Sequence, residues 1–332
     1  MGIKIVGIML CLFAPILAAR PISYSGGSTI MAFSNTMYDS VYYHYSPSYR
    51  FSVGIEALSD KYTDQQYAYW RSTFLLNRKN TQHSQRNIYL QAGIGTQGLD
   101  HHFVGVHGDW ETRRWFSGFG VKQVKTNTTD YTEKFLQVGV APYLGQYGDL
   151  HTWLMLKSKK DSRLEGWSTY PVLKFFKGNL LLEVGYDREI QWDSHIMYRF
   201  WESKMQSKLT LVIFILFVFG KSASAETEHV HNQHNHDTTA TPSVAVATER
   251  YEGFVKDLKD SKVAVVNVIG MVCDFCARGI EKTFNKDEFV RKVDVDLANG
   301  QVLIAYSADK LINQEEISEL ILANGQNVTG IE

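Results

Sequence analysis

Residues 28 to 200 carry one dominant pattern, in which apolar residues alternate with small or polar ones. Successive side chains of a β-strand point to opposite faces, so a period of two predicts strands with one apolar face. The apolar members of four such segments are Phe51, Val53, Ile55 and Ala57; Ile88, Leu90, Ala92 and Ile94; Leu136, Val138 and Val140; and Leu180, Leu182, Val184 and Tyr186. Clusters of turn-forming residues, as at 79–81 and 126–129, separate these segments and predict an antiparallel β structure.

A membrane barrel requires this alternation, because lipid-facing and lumen-facing residues alternate and closure satisfies every backbone group. A soluble β-sandwich or lipocalin-like barrel would show the same pattern with its apolar face turned inward. Aromatic clusters near segment ends favour the membrane, as interfacial girdles would. The final segment, with Ile196, Tyr198 and Phe200 on one face, resembles the terminal strand of bacterial outer-membrane proteins. We therefore predict that residues 24–203 form an outer-membrane β-barrel with an even number of strands, about 8 to 12.

Two segments have the composition of secretory signal peptides. Residues 1–19 begin with Lys4, continue as an apolar run and end in two alanines. Cys11 lies inside that run, and the large Leu10 before it disfavours a lipoprotein signal. Residues 205–225 repeat the pattern in mid-chain, ending in Ala-Ser-Ala, with an apolar run shorter than the ~20 residues of a spanning helix. This segment predicts either two secreted proteins joined in one reading frame or, as the alternative, a short membrane anchor.

A histidine-rich tract follows within residues 226–248, which are polar, lack periodicity and predict a disordered linker. Its histidines are His229, His231, His234 and His236. Imidazole groups suit Cu(II), Zn(II) and Ni(II), so this tract is a candidate secondary site for Zn(II) or Cu(II). The alternative is a solvated linker with incidental histidines. A short helix over 249–258 is expected to lead into the next domain.

Residues 261–332 predict a small α+β domain. Alternation around Val263 and Val265 indicates a strand, and the spacing of Ile280 and Phe284 indicates a helix over 276–284. Further strands are expected over 290–297, 301–306 and 328–331, with a turn at 298–300 and a helix over 314–323 that Asn313 caps. The order βαββαβ is the ferredoxin-like arrangement.

Cys273 and Cys276 lie three positions apart, after the first strand and at the start of the first helix of this domain. Both thiols can converge on one ion, while the free N–H groups of the first helical turn favour thiolates. A Cys-x-x-Cys pair also occurs in redox enzymes and in half of a zinc site, so the pair alone leaves those alternatives open.

The segment 270–276, placed after the first strand of a βαββαβ unit, resembles the heavy-metal-associated domain family. That family includes copper chaperones, modules of copper-exporting ATPases and the periplasmic mercury-binding protein. The resemblance implies that Cys273 and Cys276 bind Cu(I) or Hg(II) and pass it to a partner, such as a metal-transporting ATPase or another transporter. It also implies that Met271 is a buried residue that supports the loop. Val272 stands where the family usually has Thr or His, and residues 324–327 lack the family's frequent Lys or Tyr.

The whole chain of 332 residues has a formal net charge of −1, which gives no argument for nucleic acid as a partner. With three cysteines, one of them in the leader, no disulfide framework is expected. The histidines of the barrel region are scattered and specify no catalytic group, so we predict a metal carrier of the bacterial envelope and not an enzyme. The alternatives are a periplasmic thiol–disulfide oxidoreductase, against which no proline follows Pro242 to face the dithiol, and transport through the barrel with the metal domain as sensor.

Overall fold

Twelve antiparallel strands close into a barrel, in which each strand pairs with its neighbours in sequence and β1 pairs with β12. The computed structural model describes residues 21–188, 191–201 and 248–332. The leader at 1–19, the segment at 205–225 and residues 226–247 of the histidine-rich linker lie outside the described residues. The prediction of an even-stranded antiparallel barrel, at the upper end of the expected range, is confirmed.

The strands of the barrel are β1 (Gly27–Ser34), β2 (Tyr38–Ser48), β3 (Phe51–Asp60), β4 (Gln65–Asn80), β5 (Ser84–Gly95), β6 (Gly98–Thr112), β7 (Trp115–Lys125), β8 (Asp130–Val140), β9 (His151–Asp161), β10 (Ser168–Lys177), β11 (Leu180–Asp187) and β12 (Gln191–Trp201). Since the number of strands is even, β1 begins and β12 ends at the same mouth of the barrel. We call this end the terminal mouth. Gly27 pairs with Trp201 there.

Large apolar side chains of the strands point outward, whereas the inward face carries buried charged and polar groups together with a cluster of aromatic and apolar side chains that includes Tyr42, Phe103 and Met197. In β3, Ile55 is 40 % exposed, whereas its neighbour Glu56 is 5 % exposed. The pattern repeats in β11, where Leu180 is 49 % exposed and Glu183 is 1 % exposed. A soluble β-sandwich or lipocalin-like barrel would bury its apolar face, so the observed orientation is the opposite of what that alternative requires.

Buried ion pairs lie in the lumen of the barrel. The guanidinium of Arg71 lies 2.7 Å from the carboxylate of Glu56, and the ammonium of Lys157 lies 3.1 Å from that of Asp193. Further pairs join Lys174 to Glu183 at 3.4 Å. Arg71 and Lys174 are compensated by partners on a neighbouring strand, whereas Lys157 on β9 reaches across the lumen to Asp193 on β12. Pairing of this kind is how charged groups are accommodated in a buried interior.

The C-terminal unit has the order βαββαβ after a short leading helix, and the ferredoxin-like prediction is confirmed. Its elements are α1 (Thr248–Val255), β13 (Ser261–Ile269), α2 (Asp274–Phe284), β14 (Val290–Asp296), β15 (Gln301–Ser307), α3 (Gln314–Leu322) and β16 (Asn327–Ile331), with the sheet order β14-β15-β13-β16. The Asn313 side chain caps α3 by accepting hydrogen bonds from the N–H groups of Glu315 and Glu316, at 2.9 and 3.3 Å. Among the described residues, no helix combines the length and the apolar character needed to cross a bilayer.

One face of this sheet packs against α2 and α3 to form the core. Ile280 and Phe284 of α2 and Ile317 and Ile321 of α3 are at most 1 % exposed and lie in one cluster with the strand residue Val266. Their spacing of three or four residues places each pair on one helix face. The packing therefore fixes α2, and with it the loop that precedes it.

Candidate metal centre

The loop between β13 and α2 begins at a glycine with a left-handed backbone. Gly270 has φ of +84°, a conformation that side-chain-bearing residues rarely adopt. The next two residues turn inward, and Met271 and Val272 are each 3 % exposed. Met271 belongs to the core cluster of the domain, so its side chain anchors the loop from beneath.

Cys273 is the N-cap residue of α2, with an extended backbone (φ −146°, ψ 160°). Its carbonyl accepts hydrogen bonds from the N–H groups of Cys276 and Ala277, at 3.1 and 3.4 Å. This first turn of the helix brings the two sulfur atoms to 3.4 Å from each other, and no disulfide joins them. Cys273 is half-buried, whereas Cys276 is 5 % exposed, so an ion would reach the pair from the Cys273 side.

The sulfur separation suits one bridging ion. Metal–thiolate bonds of about 2.3 Å allow sulfur atoms up to ~4.6 Å apart to share an ion, whereas a disulfide requires about 2.05 Å. The observed 3.4 Å lies between these limits, so small side-chain rotations lead to either state. Among the described residues, no group of three or more His, Cys, Asp or Glu side chains is arranged to hold a metal.

Charged groups surround the start of α2. Asp274, 1 % exposed, accepts a hydrogen bond from Arg278 at 2.7 Å, one turn along the helix. An acidic residue in the first turn also interacts favourably with the helix dipole. Burial lowers the pKa of Lys282, and the charge of Arg278 lowers it further, while Glu281 opposes the shift.

Several residues near the loop had no assigned role in the sequence analysis. Phe275, between the two cysteines, packs its ring on Phe176 of the barrel, with centroids 4.0 Å apart, and lies under the guanidinium of Arg199 at 4.2 Å. His151, one of the scattered histidines, places its Nε2 atom 3.7 Å from the Asp274 carboxylate. The sequence signal for this contact is an aromatic residue between the two cysteines, but its partners are more than 70 residues away in sequence.

The other candidate ligands, His229, His231, His234 and His236, lie outside the described residues. The contribution of this tract stays a prediction.

Comparison with known proteins places the resemblance in the C-terminal unit. The model of the heavy-metal-associated domain matches residues 265–325. The copper chaperone CopZ of Staphylococcus haemolyticus (strain JCSC1435) is 34 % identical over 64 residues, which are 19 % of this chain and 93 % of that protein. The copper chaperone CopZ of Staphylococcus aureus (strain JH9) is 38 % identical over 47 residues, 14 % of this chain and 69 % of that protein.

Proposed function

Through its C-terminal unit this chain belongs to the heavy-metal-associated domain family, and from that premise we propose that Cys273 and Cys276 are the primary ligands of Cu(I), which the domain carries. The observation that supports this most directly is the 3.4 Å separation of two thiol sulfurs at the N-terminus of α2. Soft thiolate ligands select Cu(I) over harder ions. The names of the relatives, both copper chaperones, favour copper over Hg(II), which is the second candidate.

The proposed chemistry is ligand exchange without catalysis. Each cysteine releases its proton when it binds the ion, so binding is favoured as pH rises. An incoming thiolate from a partner forms a metal–sulfur bond, the bond to Cys273 breaks, and the released thiolate takes up a proton or stays ionised. Cys273 is the more exposed sulfur of the pair and is therefore the one that a partner attacks first. A metal-transporting ATPase or another transporter is the partner that we propose.

Met271 supports the site without binding the ion in this proposal. Its side chain is 3 % exposed and lies in the core with Ile280 and Phe284. Truncating it would loosen the loop and move both cysteines. The histidines His229, His231, His234 and His236 are proposed to collect Zn(II) or Cu(II) ahead of the dithiol.

For the barrel we propose insertion in the bacterial outer membrane. The outward-facing apolar side chains and the charged groups inside the barrel support this, as does the exposure of aromatic residues at both ends. Trp110 and Trp115 are exposed near the terminal mouth, and Tyr186 and Trp192 are exposed near the opposite end. Strands of 11 residues, rising about 3.4 Å per residue at a tilt near 40°, span ~28 Å, close to the ~25 Å apolar band of such barrels. The C-terminal domain would then lie in the periplasm.

The test of the metal site is Cu(I) competition against a chromophoric chelator with the full chain. Cys273→Ser and Cys276→Ser, singly and together, should abolish tight stoichiometric binding, because one remaining sulfur leaves the ion with a single soft ligand. Cys11→Ser, in a full chain purified with its leader retained, is the matched control and should leave the stoichiometry unchanged. Retention of one tightly bound Cu(I) in the double variant would refute the assignment.

A disulfide-reduction assay, with a small thiol as the electron source, distinguishes a carrier from the alternative thiol–disulfide oxidoreductase. A carrier should show no turnover, so the parent chain and the double cysteine variant should give the same rate. Intact mass measured on membrane and periplasmic fractions would also determine whether the segment at 205–225 is cleaved, giving two mature products, or stays as an anchor of one chain.

A further inference from the structure

The loop that carries the two cysteines meets the terminal mouth of the barrel. We define the loop face as the surface formed by Gly270, Asp274, Phe275 and Gly325 of the C-terminal domain. Its contacts come from residues near the strand ends of the mouth and from residues 141–150, the longest connection between barrel strands. None of the barrel residues in this contact is a candidate metal ligand.

An aromatic side chain anchors the contact. Phe275 packs against Phe176, with ring centroids 4.0 Å apart, and its ring lies 4.2 Å from the guanidinium carbon of Arg199. Phe176 and Arg199 are 5 % and 3 % exposed, so the Phe275 ring packs against buried side chains of the barrel. A buried aromatic anchor with a cation on its face is typical of the residues that dominate interface energies.

Backbone groups of the loop face are paired with the barrel. The N–H of Gly270 donates to the carbonyl of Thr81 at 3.0 Å, and its carbonyl accepts from the side chain of Gln85 at 3.1 Å. The amide of Asn80 donates to the carbonyl of Gly325 at 3.0 Å and to the side chain of Asn327 at 2.7 Å. These hydrogen bonds fix the orientation of the C-terminal domain on the mouth, because they engage both Gly270, where the cysteine loop begins, and the segment before β16 that contains Gly325.

Charge complementarity adds to the anchor. Asp274 accepts a hydrogen bond at 2.6 Å from the N–H of Gly148, in the longest connection, and faces Nε2 of His151 at 3.7 Å. On the other side, Lys282 donates to the hydroxyl of Tyr24 at 3.2 Å. Tyr147 donates to the carboxylate of Glu281, and burial raises the pKa of Tyr147, with this hydrogen bond adding to the shift.

The contact encloses the cysteines. Cys273 lines a cavity between the loop and the mouth together with Glu111, His151 and Trp153. Cys276 lines a second one with Tyr24 and Arg199. Barrel residues therefore cover part of the approach to both sulfurs, and Cys273 stays the more exposed of the two.

From these contacts we propose that the loop face is a docking surface whose partner is the terminal mouth of this chain's own barrel, and that docking shields the dithiol. Metal would then enter or leave the cysteines only after the domain undocks. The metal part of this consequence rests on the proposed function, whereas the docking itself does not.

The test measures the alkylation rate of Cys273 and Cys276 in the reduced, metal-free full chain, with mass spectrometry of the cysteine peptide as readout. Phe176→Ala removes the barrel side of the anchor without changing the loop. The adjacent Phe175→Ala is the matched control, since it lies on the opposite face of β10. If loss of the Phe275–Phe176 contact weakens the docking equilibrium about tenfold, the undocked fraction rises about tenfold. The alkylation rate of Phe176→Ala should rise by the same factor. Equal rates in both variants would overturn the shielding.

A second measurement protects the test against a misfolded variant. A photo-crosslinking amino acid placed at Thr81, in an otherwise unchanged chain, should form a crosslink to the peptide that contains residues 270–278. Crosslinking of that position only to other proteins or to lipid would overturn the docking. Neither readout uses copper, so failure here leaves the dithiol assignment intact, and failure of copper binding leaves the docking intact.

Discussion

The ion pair of Arg71 and Glu56 allows a quantitative test of how the lumen of the barrel is filled. Both residues are 5 % exposed, and their nitrogen and oxygen atoms are 2.7 Å apart. We consider Glu56→Ala, which removes the anion and leaves the cation inside the barrel. The hydroxyl of Ser40, which donates to Glu56 at 2.9 Å, loses its acceptor as well.

The expected cost follows from burial. Removing one partner of a buried pair costs about 3–5 kcal/mol, because an uncompensated charge stays in a poorly solvated place. Arg71 keeps three weaker interactions, with Gln91 at 3.4 Å and with the faces of the Tyr42 and Phe103 rings at 4.4 and 5.4 Å. We therefore expect the lower end of that range, ~3 kcal/mol, which is roughly a hundredfold change in the unfolding equilibrium.

The control is an exposed pair with the same geometry. Lys61 and Asp39 are also 2.7 Å apart, but their side chains are 38 % and 50 % exposed. Such pairs contribute about 0–1 kcal/mol, so Asp39→Ala should change stability little. Both variants would be compared by urea-induced unfolding in lipid vesicles, with tryptophan fluorescence as the probe. The comparison is valid if the unfolding free energy depends on urea concentration with the same slope in each variant. Equal, small losses in both variants would refute the reasoning and indicate a water-filled lumen that screens Arg71.

The remaining predictions concern the C-terminal half. Burial by itself would raise the pKa of Asp296, but hydrogen bonds from Asn299 and Ala298 and the charge of Arg250 hold it below its ordinary value. A depressed carboxyl pKa stabilises the fold above the unfolded value near 4 and loses that contribution as pH falls through the folded value. Asp296→Asn should therefore destabilise the domain at pH 7, and its unfolding curve should converge with that of the parent in acid; a constant difference at every pH would contradict this. Deletion of residues 229–236 should lower Zn(II) and Cu(II) uptake, measured by titration, without changing Cu(I) at the cysteines, and unchanged uptake would return the tract to a linker.

Much of the architecture follows from local pattern. The alternation in segments such as 51–57 and 88–94 predicts strands because the pleat has a period of two, and it also predicts which side chains share a face. The C-terminal order βαββαβ follows from helix spacing around Ile280 and Phe284 and from the Asn313 cap. These signals are strong because strand alternation, helix spacing and helix capping all depend on residues that are close in sequence.

The lumen and the docking contact depend instead on non-local geometry. Residues 15 apart, such as Glu56 and Arg71, become partners only once strand register is fixed, and a one-residue shift of either strand would turn its member of the pair to the outer face of the barrel. The contact of Asn80 with Asn327 joins residues 247 positions apart. No periodicity encodes such a pair. For the same reason Phe275 reads from sequence as a spacer between two ligands, although its ring makes the central contact with the barrel.

The even number of strands determines at which mouth of the barrel the C-terminal domain can dock. In an antiparallel barrel that closes β12 against β1, the chain leaves at the mouth where it began, and Trp201 lies there beside Gly27. The side chain of Trp201 also receives the ammonium of Lys286 on its ring face, 3.2 Å from the centroid. The C-terminal domain therefore docks at the mouth of the barrel to which the chain already delivers it. An added thirteenth strand would place the start of the linker at the opposite mouth, and the loop face could then reach Asn80 and Phe176 only by passing along the whole barrel wall or through the filled lumen.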